Sequence, residues 1–187
     1  MEPARHFAAA IWPTALKVSS ALGMVLLVGI GIASYRAIPV PTGFTHYFGL
    51  GITLVLPAIL VVSLLFTVGG YVVTSTDLAI QRLVWATHIP LHGLRSVSLE
   101  PAICKRSVRI FGNAGLFGFT GLYQSSRLGR FRLFGTDLSH AVVLDLPDRT
   151  VVITPAAAQA FVDHIHRIIP NTIGKEPVRC PQTNPRT

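Results

Sequence analysis

The sequence carries little charge and almost no cysteine. Charged residues make up 13% of the chain, whereas soluble domains carry about 25%. An apolar fraction of 50% excludes an intrinsically disordered chain, which needs low hydrophobicity. A disulfide-stapled secreted module is excluded as well, because Cys104 and Cys180 are the only cysteines and the second lies in a proline-rich tail. The composition indicates a small membrane protein.

The missing charges leave two long uncharged stretches. Between Lys17 and Arg36 there are 18 uncharged residues, and between Arg36 and Asp77 there are 40. As an α-helix, residues 18–35 would span about 27 Å at ~1.5 Å per residue. This length is close to the bilayer's hydrocarbon thickness of about 30 Å, so the segment is long enough to cross once.

The second uncharged stretch is too long for one span, and its apolar centre runs from about 47 to 68. Pro57 in its middle is tolerated in a transmembrane helix, where a kink is expected. The sequence therefore predicts a two-helix transmembrane hairpin over residues 18–68, preceded by an amino-terminal segment, residues 1–17.

Two other interpretations of these segments stay open. A basic head before an apolar stretch also fits a secretory signal peptide, although 18 residues exceed the usual apolar region of about 7 to 15 and residues 36–39 are a poor cleavage site. Alternatively, both segments are buried core helices, which the shortness of the remaining chain disfavours.

The basic residues predict the orientation of the hairpin. Arg5 and Lys17 precede the first span, Arg36 alone lies in the connecting loop, and Arg82 and Arg95 follow the second span. Because Lys and Arg are enriched in cytoplasmic loops, the amino terminus and the carboxyl-terminal domain are both expected on the cytoplasmic side.

From residue 69 onward the hydrophobic pattern is that of short strands followed by one helix. The strands are expected at about 70–74, 78–85, 88–91, 94–99, 141–146 and 150–154. An apolar stripe from Ala158 to Ile169 predicts an amphipathic helix that starts at Thr154 and Pro155 and ends at Pro170.

These elements define the predicted fold class. We expect a membrane α-helical hairpin plus an all-β or α+β domain over residues 69–170. Its strands, about seven and mostly antiparallel, would form a partly closed barrel capped by the carboxyl-terminal helix. Residues 171–187, with three prolines, are expected to be a disordered tail.

A glycine repeat lies in the centre of this domain. Gly112, Gly115, Gly118 and Gly121 recur every three residues, without the Gly-Lys-Ser/Thr of a phosphate-binding loop. Glycines interleaved with aromatic residues are more typical of a bent or bulged strand where backbones approach closely.

The candidates for catalysis and metal binding are weak. His88 and His92 are separated by a proline that removes the helix needed to align them. A triad of Ser139, His140 and Asp145 lacks a nucleophile-elbow pattern. We therefore expect no catalytic residues, no metal site, no cofactor and no enzymatic activity.

Positive charge is the remaining signal, because residues 77–187 hold 13 Lys and Arg against 7 Asp and Glu. A solvated face is one explanation, and contact with anionic lipid or a partner is another. Nucleic acid is disfavoured, since no recognisable nucleic-acid motif accompanies the charge. The candidate contact residues are Lys105, Arg106, Arg109, Arg127, Arg130 and Arg132.

The order of several short motifs resembles the bacterial pleckstrin-homology-like (PH-like) domain family of small membrane-anchored proteins, over roughly residues 68–169. The motifs are Tyr71-Val72-Val73-Thr74, Leu78-x-Ile80, Ile89-Pro90-Leu91, Phe111-Gly112-Asn113-Ala114-Gly115-Leu116-Phe117-Gly118, Leu128-Gly129-Arg130-Phe131, Val151-Val152-Ile153-Thr154-Pro155 and Phe161-Val162. The resemblance implies a seven-stranded, barrel-like sheet with a carboxyl-terminal helix in a bacterial protein. Together with the predicted hairpin, it leads us to expect a multi-pass protein of the bacterial inner (cytoplasmic) membrane. It implies no activity, because fold alone does not fix function.

The functional hypothesis is a non-catalytic, membrane-anchored binding or scaffold module. Its basic cytoplasmic domain would bind anionic lipid headgroups, or a protein partner at a sheet edge or at the hairpin. The alternative is a structural subunit of a larger membrane complex, assembled through the helical hairpin.

Overall fold

The computed structural model describes residues 4–37, 44–101, 103 and 107–170. The predicted tail, residues 171–187, lies outside the described residues. In chain order the elements are β1 Arg5–Ala8, α1 Thr14–Ala37, α2 Phe44–Leu65, β2 Val68–Val73, β3 Asp77–Arg82, β4 Ala86–Pro90, β5 Ser96–Leu99, β6 Ser107–Ala114, β7 Phe119–Ser125, β8 Gly129–Gly135, β9 Val142–Asp145, β10 Thr150–Ile153 and α3 Ala158–Ile168.

The two uncharged stretches form α1 and α2, which pack against each other. Both are long and apolar enough to cross a membrane by length and composition. Only 11% of the apolar window of α1 and 0% of that of α2 are buried inside the protein. Core helices would be mostly buried, so that interpretation is wrong. The predicted helix bounds, 18–35 and 47–68, differ from the observed ones. Helix α1 begins earlier, at Thr14, and α2 ends at Leu65, before β2 starts at Val68.

The first sheet has the order β1-β2-β3-β4, and all its pairs are antiparallel. Its first strand comes from the amino-terminal segment, so the prediction that residues 1–17 are separate from the domain is wrong for β1. In β1 only Phe7 is buried, with its ring 5.1 Å from that of Phe161 in α3. The hairpin is therefore inserted between the first and second strands of one sheet.

The second sheet has the order β5-β9-β10-β8-β7-β6. Within the described residues nine strands follow the hairpin, so the expected number of about seven is wrong. β8 and β10 pair in parallel because the chain between them forms β9, which flanks β10 on its other side. The described strands form two sheets, and closure into a barrel is not confirmed.

The main core lies between the two sheets and α3. It includes Tyr71, Leu78 and Ile80 of the first sheet, Leu144 and Ile153 of the second, and Phe161 and Ile165 of α3. A second cluster covers the opposite face of the second sheet, with Phe131, Leu133 and Val152 at its centre. The face of the second sheet that bears the main core is buried at β9 and β10. Part of the same face is exposed on β8, at Arg130 and Arg132.

Helix α3 has the predicted apolar stripe but a different start. Its amino-terminal cap is Ala157, which makes no side-chain capping bond. The Thr154 hydroxyl instead accepts the backbone N–H of Thr136 at 2.9 Å, and Pro155 forms a bridge with Ala9. The predicted cap at Thr154 is wrong because tertiary hydrogen bonds occupy its side chain.

The glycine repeat has the predicted close backbone approach. Gly112 of β6 is paired with Gly121 of β7, beyond a register shift between Arg109 and Phe111. A Cβ atom on Gly112 would lie 2.2 Å from the carbonyl oxygen of Thr120, and the φ of Gly112 is 118°. Only glycine fits there.

Candidate functional site

The chain joins the helical hairpin to the domain at two places, which we call the α1 root and the α2 root. At the α1 root the backbone N–H of Ala10 donates to the carbonyl oxygen of Thr154 at 2.9 Å. The Thr136 hydroxyl donates to the carbonyl oxygen of Ala10 at 2.6 Å. Leu16 in the first turn of α1 is 2% exposed, and Trp12 packs against Phe117. One side of the first turns of α1 thus packs against the domain.

The β6–β7 turn holds the next two turns of α1. The hydroxyls of Ser19 and Ser20 donate to the carbonyl oxygen of Gly115, at 2.8 and 3.2 Å. The Ser20 hydroxyl also accepts the N–H of Phe117 at 2.9 Å. Gly23 lies against Leu116, where a Cβ atom would be 3.0 Å from the leucine side chain. Polar and steric contacts therefore fix α1 against the domain.

The α2 root is built from aromatic rings and one arginine. The ring of Phe66, directly after α2, meets Trp85 edge to face at 5.1 Å. The Arg82 guanidinium lies 4.9 Å from the centre of the Phe66 ring, 5.6 Å from Trp85 and 5.4 Å from Phe134. Such cation–π contacts are attractive, and burial lowers the pKa of Arg82 from its ordinary value.

Arg130 and Arg132 lie on the exposed part of one face of the second sheet. The same face carries the main core at β10, where Val151 is paired with Arg132. Strand pairing puts Gln124 opposite Arg130 and Leu122 opposite Arg132, and directly paired residues share a face. In β6 the pairing adds two strongly exposed apolar side chains, Val108 (71%) and Phe111 (78%). We call this surface the open face; its residues are Val108, Phe111, Leu122, Gln124, Arg130 and Arg132.

The open face reaches the α2 root. Thr120 precedes Leu122 by two residues, so it lies on the same face. Its hydroxyl donates to the carbonyl oxygen of Phe66 at 3.5 Å. Phe134 is paired with Thr120 and carries Arg82 on its ring. Arg82 and the two open-face arginines therefore follow one line along β8.

The other predicted contact residues lie elsewhere. Arg109 is paired with Tyr123, whose ring stacks on Phe131 in the second cluster. The register position of Arg109 is therefore on the face of the sheet opposite to the open face. Arg127 is in the β7–β8 turn, with its Nη1 atom 3.8 Å from a carboxylate oxygen of Glu100. Lys105 and Arg106 lie outside the described residues. The structure thus unites two of the four described candidates and separates the other two from them.

Four residues at the open face and the α2 root are not predictable as contact residues from the sequence: Arg82, Trp85, Val108 and Phe111. Strand alternation alone does not show that Val108 and Phe111 share a face, because the register shift between them changes the count. From the sequence Arg82 shows only its charge, because its aromatic neighbours follow α2, precede β4 and lie in β8. No local sequence signal links these elements.

Asp137, Ser139 and His140 have the residue types of a hydrolase triad, but they form the cap of a turn. The Ser139 hydroxyl donates to Asp137 Oδ1 at 2.7 Å, and His140 Nδ1 lies 3.0 Å from that hydroxyl and 3.2 Å from Asp137 Oδ2. A triad histidine uses different ring nitrogens for serine and aspartate, whereas His140 uses one nitrogen for both. Burial alone would raise the pKa of Asp137, but the bonds from Ser139 and the nearby His140 hold it below its ordinary value. Asp145 is on β9, paired with Ser96 and Thr150.

In the part of the chain that the structure describes, no three His, Cys, Asp or Glu side chains come together as a metal site. Two packed sheets with a carboxyl-terminal helix, joined to two long apolar helices, define a small domain of the PH-like class. The chain belongs to the bacterial PH domain family, whose model matches residues 69–169, more than half of its length. Domains of this kind are generally non-catalytic binding modules. Neither a curated protein nor a solved structure matches the chain.

Proposed function

We propose that this protein is a membrane-anchored, non-catalytic binding module of the bacterial cytoplasmic membrane. In this proposal α1 and α2 span the bilayer, with the amino terminus and the domain on the cytoplasmic side. The open face, through Arg130 and Arg132, binds the headgroups of anionic lipids. A protein partner at the same face is the other outcome that the experiment below distinguishes.

The amino-terminal strand supports a retained hairpin over a cleaved signal peptide. Cleavage after α1 would release β1, which pairs with β2 along Arg5–Ala8. It would also release Phe7, which is buried in the main core. The sheet and the core of the domain include the segment before α1, which favours a helix that stays attached to the domain. The same pairing requires both ends of the hairpin to lie on one side of the bilayer.

One observation carries the lipid proposal: Arg130 and Arg132 stand together on a face that continues into the α2 root. Successive open-face residues of β8 are about 7 Å apart along the strand. Arg132 is therefore one such step from Phe134, and Arg130 is two. Because the domain is fixed to both helices, these charges would stay near the bilayer surface, where each basic residue contributes about 1 kcal/mol of attraction to anionic lipid.

Charge reversal at both positions tests this proposal. Full-length protein is reconstituted in bilayers with equal amounts of phosphatidylglycerol and phosphatidylcholine, and native mass spectrometry measures the ratio of the two bound lipids. We expect Arg130→Glu with Arg132→Glu to lower the bound ratio of anionic to zwitterionic lipid by roughly tenfold or more.

The matched control is Arg95→Glu with Arg167→Glu, which changes net charge equally at two exposed positions away from the open face. Arg95 directly precedes β5, which is three strands from β8 in the sheet order, and Arg167 is on α3. If both double variants retain the same lipid ratio as the native chain, the lipid proposal fails. If lipid retention is unchanged but a co-purifying protein is lost only from the Arg130 and Arg132 variant, the open face binds a protein instead.

The alternative function, a structural subunit, is favoured by one feature of the hairpin. An apolar groove between α1 and α2 is lined by Gly31 and Pro57, among others, and is open to the surroundings. Small residues and helix irregularities permit close approach of a further helix. A stoichiometric integral membrane partner that dissociates on Gly31→Leu substitution would support this function. A protein that is monomeric in mild detergent would contradict it.

A further inference from the structure

The turn between β3 and β4 exposes three consecutive apolar side chains. We call it the β3–β4 tip; it consists of Leu83 (66% exposed), Val84 (70%) and Trp85 (39%). Its backbone is closed by a hydrogen bond from the N–H of Arg82 to the carbonyl oxygen of Trp85, at 2.9 Å. A turn in contact with water normally carries Gly, Asn, Asp or Ser, so this composition calls for an apolar neighbour.

Strand register puts the tip beside the end of α2. β2 leaves α2 at Val68, and β3 returns antiparallel with Arg82 opposite Val68. The residues after Arg82 therefore extend back past the start of β2, alongside the last turn of the helix. The edge-to-face contact of Trp85 with Phe66 places the tip at this level.

The length of α2 indicates how deep in the bilayer the end of this helix, and the tip beside it, would lie. The apolar segment Tyr47–Leu65 has 19 residues, which as a helix is about 28 Å long and close to the hydrocarbon thickness of about 30 Å. If this segment spans the bilayer, Leu65 lies at the hydrocarbon boundary and Phe66 in the headgroup region. Tryptophan is enriched in that region because its ring is amphipathic. The two tryptophans of the chain, Trp12 and Trp85, lie at the α1 root and the α2 root.

Arg82 has a geometry suited to the same boundary. Its guanidinium covers the rings of Phe66 and Trp85. Arginine at a membrane surface buries its stem along apolar groups and keeps its charge at the headgroups. One end of this cluster is therefore apolar and the other is positive, as the boundary between acyl chains and anionic headgroups requires.

We propose that the β3–β4 tip inserts into the interface of the bilayer that α2 spans, with Leu83 and Val84 among the upper acyl chains. This inference rests on the proposed function, because it needs a membrane-spanning hairpin. It adds a second, apolar membrane contact on the domain itself, separate from the open face. The domain would then be held at three places: the two helices and the tip.

Site-directed spin labelling of the full-length protein in liposomes tests the tip. Single cysteines are introduced in a Cys104→Ser, Cys180→Ser background as Val84→Cys at the tip, Val61→Cys on α2 and Asp148→Cys in the β9–β10 turn. All three native side chains are exposed. The nitroxide at each position is probed with oxygen, which concentrates in lipid, and with a water-soluble nickel chelate.

We expect labels at positions 84 and 61 to favour oxygen and the label at position 148 to favour the nickel chelate. If position 61 reports lipid while position 84 is as accessible to nickel as position 148, the tip inference is wrong and the hairpin proposal stands. If position 61 itself reports water, the proposed function fails and the inference with it. A label at position 84 that is immobile and accessible to neither reagent would indicate a protein contact and would overturn insertion into lipid.

Discussion

The two roots of the hairpin join the same domain in different ways. The α1 root is buried and hydrogen-bonded, with Leu16 in the interior and Ser20 bound to the β6–β7 turn. The α2 root is a cluster of partly exposed rings around Arg82, followed directly by β2. The first root fixes the helix by contacts within the protein, whereas the second leaves an apolar surface available to the surroundings. The two helices are similarly apolar, but the end of α1 contributes contacts to the protein interior and the end of α2 contributes an exposed apolar surface.

Truncation of Leu16 is expected to have the largest effect on this contrast. Leu16→Ala removes a 2% exposed side chain, and such buried leucine truncations cost about 2–5 kcal/mol of unfolding free energy. Leu64→Ala in the last turn of α2, next to the α2 root, is the matched control, because Leu64 is 43% exposed, and we expect little change in domain stability. Thermal or denaturant unfolding of both variants, followed by near-UV circular dichroism, measures the difference. Equal losses would mean that the roots are not distinct.

A second test breaks the link between the two roots. The Tyr71 hydroxyl donates to the carbonyl oxygen of Phe134 at 2.8 Å and accepts the N–H of Thr154 at 3.1 Å. Thr154 in turn accepts the N–H of Ala10 at the α1 root. Tyr71→Phe leaves buried groups unpaired and should cost about 2–3 kcal/mol.

The same tyrosine predicts a loss of stability at alkaline pH. Burial raises the pKa of Tyr71 to about 12, partly offset by its bonds with Thr154. The folded protein therefore favours the neutral hydroxyl. Its contribution is fully present below pH 10, the ordinary pKa of tyrosine, and is lost as the pH rises through about 12. The native chain should lose more stability over this range than Tyr71→Phe does, as followed by unfolding at successive pH values. Parallel pH profiles would contradict this role of Tyr71.

The smallest expected effect separates the two serines of the α1 root. Ser20→Ala leaves the buried N–H of Phe117 without the hydroxyl that accepts it, at a cost of about 1 kcal/mol. Ser19→Ala should cost less, because Ser20 still donates to the carbonyl oxygen of Gly115. Equilibrium unfolding of the two variants under identical conditions measures the difference. A larger loss for Ser19→Ala would refute this account of the turn.

Much of the fold followed from local patterns in the sequence. The apolar runs predicted α1 and α2, and the stripe with Phe161 and Ile165 predicted α3. The hairpin of β9 and β10 was also predicted, from two strand-like runs around a tight turn. Strand β1 was not, because four residues with Phe7 alone pointing inward give no recognisable period.

The candidate site was less predictable, because it depends on contacts between distant segments. Arg130 and Arg132 share a face by strand alternation, which the sequence showed. The position of Arg109 depends on its pairing with Tyr123, and that of Arg127 on Glu100. Neither contact is visible from spacing along the chain, and the parallel pairing of β8 with β10 is likewise non-local.

The insertion of the hairpin between β1 and β2 has a consequence for the order of folding. In the first sheet Arg5 is opposite Val73, so forming this pair closes a loop that contains both helices. The chain entropy lost on closing a flexible loop grows with its length. Because α1 and α2 pack against each other, forming the hairpin first brings the two strands together and leaves only short connections to close. Strand β1, although it is synthesised before both helices, is then among the last segments to join the first sheet, and a chain that fails to form the hairpin also loses this strand.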